Sequence, residues 1–320
     1  MPTLFLMIIR VIDIGSNSVK ASLYNVEQGK HRLLDKDKLD YALGDFVFSE
    51  GSIPESGFDK VATYIQRALT ENSGEKPHFT FIIATSAVRS AKNRDAFVKK
   101  VEQKTEIPVR VLTGAEESYL VHIGVVNQTG AEGIVKTIDI GGGSAEVAWS
   151  RDQRYLFGRS YELGAIRLTR RFLNGKPFTR EIYERIYNHA WEEFHKRSPT
   201  EAPGADRAIS SSGNIRAIVK MVEEVRSESF AKQIPEITPG ALEDLLEIAV
   251  GRAPQNLTSL FDLNIERARI VIPAVLVLQA SMRYFGIRRL EFTEAGLREG
   301  VAFFWSRHGH LNLPLEEEKP

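Results

Sequence analysis

The chain has 320 residues, 42% hydrophobic and 26% charged, a composition ordinary for a globular protein and enough length for two domains with separate cores. Lysine plus arginine balances aspartate plus glutamate at 42 each, so no global field draws nucleic acid or a membrane; an anionic partner must be met by local positive charge. Cysteine is absent, which excludes a disulfide framework and thiolate chemistry and suits a cytoplasmic protein.

The opening MPTLFLMIIRVIDIG lacks a basic start and a small-residue cleavage site, so it reads as a first strand, Ile8 to Ile14, with Met7 an alternative start to Met1. No segment has the length of a membrane span. After a turn at Asp13 come two β-rich runs, VKASLYNV and HRLLDKDKLDYAL, joined at Gly29. Phe58, Val61, Ala62, Ile65, Ala68 and Leu69 follow at helical spacing, ending at Asn72 and Gly74. FTFIIAT (79–85) reads as a buried strand, Asn93 to Lys104 as a helix, IPVRVL (107–112) as a strand and Glu116 to Val126 as a helix.

VNQTGAEG (126–133) is polar and glycine-bearing, a natural linker, which divides the chain into domains 1–127 and 128–320. The second restarts at Thr137 with three strands to Tyr161, a helix from Thr179 to Lys196, the strand RAISSS and a helix from Asn214. It continues with helices Ala241 to Val250 and Glu266 to Phe285, the strand RLEFT and a last helix from Leu297. The fold class expected is α/β, with the order βββαβαβα used twice and a helix-rich end.

The repeat is explicit. TIDIGGGSAEVAW (137–149) nearly copies VIDIGSNSVKASLY (11–24), and duplication outweighs the ordinary reading of Asp and Gly as turn residues. Glycines after a strand let backbone N–H groups close on a phosphate: Gly15 in the first loop, Gly141, Gly142 and Gly143 in the second. Ser16, Asn17, Ser18 and Ser144 add side-chain donors, and Asp13 and Asp139 stand where a carboxylate can hold Mg²⁺.

With ATSAVRSAKN (84–93), TGAEESYL (113–120), ELGAIRLT (162–169) and GLREG (296–300), these loops resemble the exopolyphosphatase/guanosine pentaphosphate phosphatase family, within the actin, sugar-kinase and Hsp70 superfamily. The resemblance runs from Ile8 to about Phe304 and implies two actin-like domains with a cleft between them. It makes Glu117 the catalytic base, gives Asp139 and Glu146 to Mg²⁺ and its water, and puts Arg89 on phosphate. Longer members have a helical C-terminal domain beyond the point where this chain stops, so fewer contacts to polyphosphate are expected. Departures occur at Ser212 to Asn214, where many members carry Gly-Thr, at Ala274, where many carry Gly, and at Arg269, near which an acid is common.

The residues support the choice of glutamate independently. Thr113 and Glu116 spell a capping box, which gives Glu116 a structural task and leaves Glu117 for chemistry. In SAEVAW, Glu146 alternates with Ala145, Val147 and Trp149 and so points off the core face. Candidate cations are Lys20, Arg89, Arg94, Arg167, Arg216, Arg267 and Arg298; Lys20 and Arg89 follow the phosphate-type loops, and Arg267 matches a family position. Ser212, Gly213 and Asn214 open a helix whose free N–H groups suit an anion. HGH at 308–310 and PLEEEKP read as a solvated tail.

The expected function is a Mg²⁺-dependent exopolyphosphatase, with inorganic polyphosphate as partner. The alternatives are a guanosine pentaphosphate phosphatase, an ATP-dependent small-molecule kinase and a non-catalytic nucleotide sensor. No nucleic acid or membrane partner is expected, and a homodimer stays open.

Overall fold

The computed structural model describes residues 7–27, 29–70, 76–173, 175–200, 202–226 and 237–315. The helix stop at Asn72 and Gly74, the choice of Met1 as start and the end of the acidic tail lie outside them. The chain divides into two compact units, Met1–Gln128 with Ala295–Pro320, and Thr129–Glu294.

The first unit is built on β1 (Met7–Ile14), β2 (Val19–Glu27), β3 (Lys30–Leu39), β4 (Phe79–Ala84) and β5 (Val109–Val111) in the order β3-β2-β1-β4-β5. β1 is central, antiparallel to β2 and parallel to β4, which explains its nearly unbroken apolar sequence. β3 lies at the edge with charges along HRLLDKDKL, a sequence that discourages pairing with another chain. Helices α1 (Leu43–Glu50), α2 (Glu55–Thr70), α3 (Ser86–Ser90), α4 (Arg94–Thr105) and α5 (Gly114–Thr129) complete the run. One core layer joins Ile12, Ile14 and Ile82 to Val61, Ile65, Phe97 and Val101 of α2 and α4.

The second unit repeats the plan. β6 (Ile134–Ile140), β7 (Ala145–Arg151), β8 (Arg154–Tyr161), β9 (Arg207–Ser211) and β10 (Glu291–Phe292) lie in the order β10-β9-β6-β7-β8, the same arrangement strand for strand. Its helices are α6 (Ala165–Leu168), continued by a π-turn at Thr169–Leu173, then α7 (Arg180–Arg197), α8 (Ser212–Arg226), α9 (Pro239–Ala249), α10 (Pro254–Phe261) and α11 (Ile265–Tyr284). α11 is buried almost all round, from Ala268 to Met282, because α7, α8, α9 and α10 all pack on it.

Three expectations are revised. The segment 126–133 is not all linker, since α5 continues to Thr129. The strand at RLEFT shrinks to Glu291–Phe292. The last helix, α12 (Leu297–His308), does not belong with residues 128–294. Val301, Ala302, Phe304 and Trp305 bury beside Ile9, Val11, Tyr24 and Leu120, and the Trp305 ring lies 4.8 Å from that of Phe79, so apolar burial returns the chain's end to the first unit. Among the described residues no helix is long and apolar enough to cross a membrane.

Candidate active site

In the first unit the parallel strands β1, β4 and β5 end together, with Ile14 opposite Ala84 and Ala84 opposite Val111. Ligands of open α/β sheets bind beyond such carboxyl ends. The expected first-unit residues leave from this edge. Asp13 stands in register with Lys20 across the β1–β2 turn, and the Gly15 N–H donates to the Ser18 carbonyl at 3.2 Å. The Gly44 N–H donates to the Ser16 carbonyl at 2.8 Å, which braces the loop. Among the described residues, no backbone carbonyl takes the N–H groups of Ser16 and Asn17, as an anion cradle requires. Burial raises the Asp13 carboxyl above its ordinary pKa, while Lys20 and Arg298 pull it down and Glu299 adds to the rise.

Glu117 leaves the end of β5 on the first turn of α5 and is 7% exposed. Arg89, on α3 after β4, donates from Nη1 to Glu117 Oε2 at 2.9 Å and to the Leu112 carbonyl at 2.8 Å. Arg89 thus holds Glu117, a pairing the sequence reading did not foresee. Glu116 does cap: Thr113 N–H donates to its Oε2 at 2.8 Å, and its own N–H donates to Thr113 Oγ1 at 3.2 Å. Arg110 also binds its carboxylate. Burial alone would raise the Glu116 pKa, but the bonds from Thr113 and Arg110 outweigh it and hold the carboxyl below its ordinary value.

In the second unit Asp139 and Glu146 face each other across β6 and β7, and Gly141 N–H donates to the Ser144 carbonyl at 2.9 Å. The carbonyls of the three glycines are taken from outside the loop. Ala165 N–H donates to Gly141 O at 3.0 Å, Ile166 N–H to Gly142 O at 2.8 Å and Arg167 Nε to Gly143 O at 2.8 Å. Gly164 permits this approach, because a Cβ there would fall 2.2 Å from the Gly143 carbonyl carbon. Among the described residues, no carbonyl takes the N–H groups of Gly142 and Gly143.

Glu146 lies off the face of Ala145 and Val147, as the alternation requires, but is only 3% exposed. Both faces of β7 are covered, and Ser160 Oγ donates to Glu146 Oε1 at 2.7 Å. Ser212 and Asn214 open α8 beside the loop's stem: Ser212 Oγ donates to Ile140 O at 3.0 Å and Asn214 Nδ2 to the same oxygen at 2.8 Å and to Gly141 O at 3.1 Å. Arg267 donates to Asn214 Oδ1 and packs on Gly213. Of the other candidate cations, Arg94 and Arg216 form exposed pairs with Asp95 and Glu294, an ordinary solvated role. The rings of His308 and His310 lie against Phe304.

Among the described residues no group of three or more His, Asp or Glu could hold a metal. The Asp139–Glu146 pair nevertheless fits Mg²⁺, which takes one or two carboxylates and completes its shell with water and phosphate oxygens.

Two sheets of one topology, each with a glycine loop at the carboxyl edge and a buried glutamate close by, define a duplicated actin-like α/β protein equipped for phosphoryl chemistry. The chain belongs to the Ppx/GppA phosphatase family, whose model matches residues 22–308. It is 29% identical over 299 residues to Exopolyphosphatase 1 of Mycobacterium tuberculosis, covering 91% of this chain and 86% of that protein. The Exopolyphosphatase 1 of Mycobacterium leprae is also 29% identical, over 297 residues, with 91% and 87% covered. The fold matches the Ppx-GppA enzyme of Aquifex aeolicus with a TM-score of 0.77 at 22% identity, covering 93% of this chain and 99% of that one. An exopolyphosphatase from Cytophaga hutchinsonii gives 0.77 at 23% identity, with 93% and 97% covered.

Proposed function

We propose that the protein is an exopolyphosphatase that releases orthophosphate from the end of inorganic polyphosphate, and that Glu117 is its general base. The observation that carries this is the ion pair between Arg89 and the buried Glu117, on segments that follow the parallel strands at the same sheet edge as the first glycine loop. The guanidinium orients the Glu117 carboxylate through Nη1, and Arg89 has further N–H groups to offer an arriving phosphate. Phosphate oxygens that engage those donors are held next to Glu117, which takes a proton from a water in line with the terminal phosphorus. Ser16, Asn17, Ser18 and Lys20 receive equatorial oxygens in this reading, and Gly142, Gly143 and Ser144 offer the second cradle; the N–H groups of Gly15 and Gly141, expected on phosphate, instead close their own turns on Ser18 and Ser144. Asp139 and Glu146 would hold Mg²⁺, with Asp13 the other carboxylate at a loop, and the bound ion would neutralise charge on phosphate oxygens.

The supporting reasons are membership of the phosphatase family and the likeness to proteins named exopolyphosphatase. The test is phosphate release from long-chain polyphosphate, tripolyphosphate, guanosine pentaphosphate and ATP, with and without Mg²⁺, by wild type and Glu117→Gln. Polyphosphate should be the preferred substrate, and the variant should lose about 10² to 10⁴ in turnover while still binding it. Turnover within a few-fold of wild type would remove Glu117 as base. Preference for guanosine pentaphosphate would replace the substrate assignment.

A further inference from the structure

Two glycines bring α5 and α12 into backbone contact. A Cβ on Gly124 would lie 2.3 Å from Gly296 O and 2.7 Å from Gly300 N; one on Gly300 would lie 1.8 Å from Leu120 O. No side chain fits between the helices, so the first turn of α12 is seated directly on the helix that carries Glu117. Leu120 and Gly124 follow Glu117 by three and seven residues, which puts all three on one stripe of α5.

The same turn is fastened to the sheet. Tyr24, on β2, is fully buried, and its hydroxyl donates to Glu299 Oε1 at 2.5 Å. The other carboxylate oxygen, Oε2, accepts the Gly296 N–H at 2.9 Å. One glutamate therefore closes the helix start and ties it to β2. Arg298 sits between these anchors, and its charge reaches both Asp13 and Glu299.

The geometry points to Glu299 and Tyr24 as positioning residues that lock the first turn of α12, so that Arg298 presents a cation to the substrate's phosphates at the first loop in a fixed relation to Glu117. Neither touches substrate; both act through Arg298. The inference rests on the hydrolytic reading of the same site.

The variant of choice is Tyr24→Phe, which deletes one oxygen and keeps the buried ring and its packing. Its kcat/KM on polyphosphate should fall about tenfold, the size of coupling seen between residues in contact. Arg298→Ala should lose more, and adding Tyr24→Phe to it should cost less than about twofold, because the residue it positions is gone. Amide hydrogen exchange at Gly296–Gly300 should speed up in Tyr24→Phe whether or not substrate is present. Multiplying losses in the double variant would overturn the inference, as would a Tyr24→Phe enzyme with wild-type rate and exchange. If wild type does not hydrolyse polyphosphate, the functional reading fails on its own. Exchange at Gly296–Gly300 then still judges the joint, and an unchanged rate there sinks it.

Discussion

The two glycine loops share a backbone and differ in charge. Each follows the central strand of its sheet, each closes with a glycine N–H on a serine carbonyl, and each is braced through its carbonyls by a later segment. Opposite Asp13 stands Lys20; opposite Asp139 stands Glu146. A carboxylate beside an ammonium has no net charge to hold a cation, whereas two carboxylates together suit a divalent one. The backbone of the loop occurs twice, and one cross-strand position changes the charge beside its aspartate.

The largest effect expected of this difference is on metal demand. Asp139→Asn removes a charge from the second loop while preserving its shape, so the Mg²⁺ concentration for half-maximal phosphate release should rise about 10- to 100-fold. Asp13→Asn should move it far less. Equal shifts in the two variants would erase the distinction, and no shift in either would place the metal elsewhere. Lys20→Met should act in the opposite sense. Losing one charge-assisted bond, worth about 1.5 kcal/mol, should raise KM for tripolyphosphate roughly tenfold with an unchanged Mg²⁺ titration. A changed titration would mean that Lys20 acts through the metal.

The shared part of the comparison was legible in the sequence because it is local. Strand, aspartate, glycine turn and hydroxyl form one turn's chemistry, and Thr113 with Glu116 names its own hydrogen bonds. The capping box and the strand order could be read for that reason. The short helices α1, α3, α6 and α10 were not, since tertiary packing rather than their own periodicity supports them. The return of α12 to the first unit was hidden by the long interval between Trp305 and its neighbour Phe79. Pairings such as Arg89 with Glu117, Tyr24 with Glu299 and Arg267 with Asn214 join residues remote in sequence, and no pattern within either segment announces them. The covered outer face of β7 had the same cause, because alternation says which way Glu146 points and not what lies there.

The helix starts differ too, and that difference is titratable. α5 is anchored by the Glu116 carboxylate, α8 by the hydroxyl of Ser212 and the amide of Asn214. The Glu116 carboxyl is depressed in the folded state, so its stabilisation is present above the unfolded value of about 4.3 and is lost as pH falls through the folded value. Glu116→Ala should cost about 1 kcal/mol of unfolding free energy at pH 7, and the gap to wild type should close as the medium becomes more acid. Urea melts across that range are the measurement; a gap independent of pH would mean that the carboxylate's charge contributes nothing.

The smallest effect is expected at Ser212, which occupies a left-handed conformation with φ 79°, while the turn after β4 contains no such residue. A side chain in that region costs about 1 kcal/mol, and the hydroxyl's bond to Ile140 O offsets a similar amount. Ser212→Gly removes both and should leave stability within about 0.5 kcal/mol of wild type. Ser212→Ala keeps the strained backbone and discards the bond, so it should be about 1 kcal/mol less stable than wild type. Kinetics then divide the roles of the hydroxyl. If its work is to brace the stem of the second loop, Asn214 still holds Ile140 O in both variants and KM stays put. A matching rise in KM for both would instead assign the hydroxyl to phosphate, and would make the turn after β9 a binding element that the turn after β4 does not share.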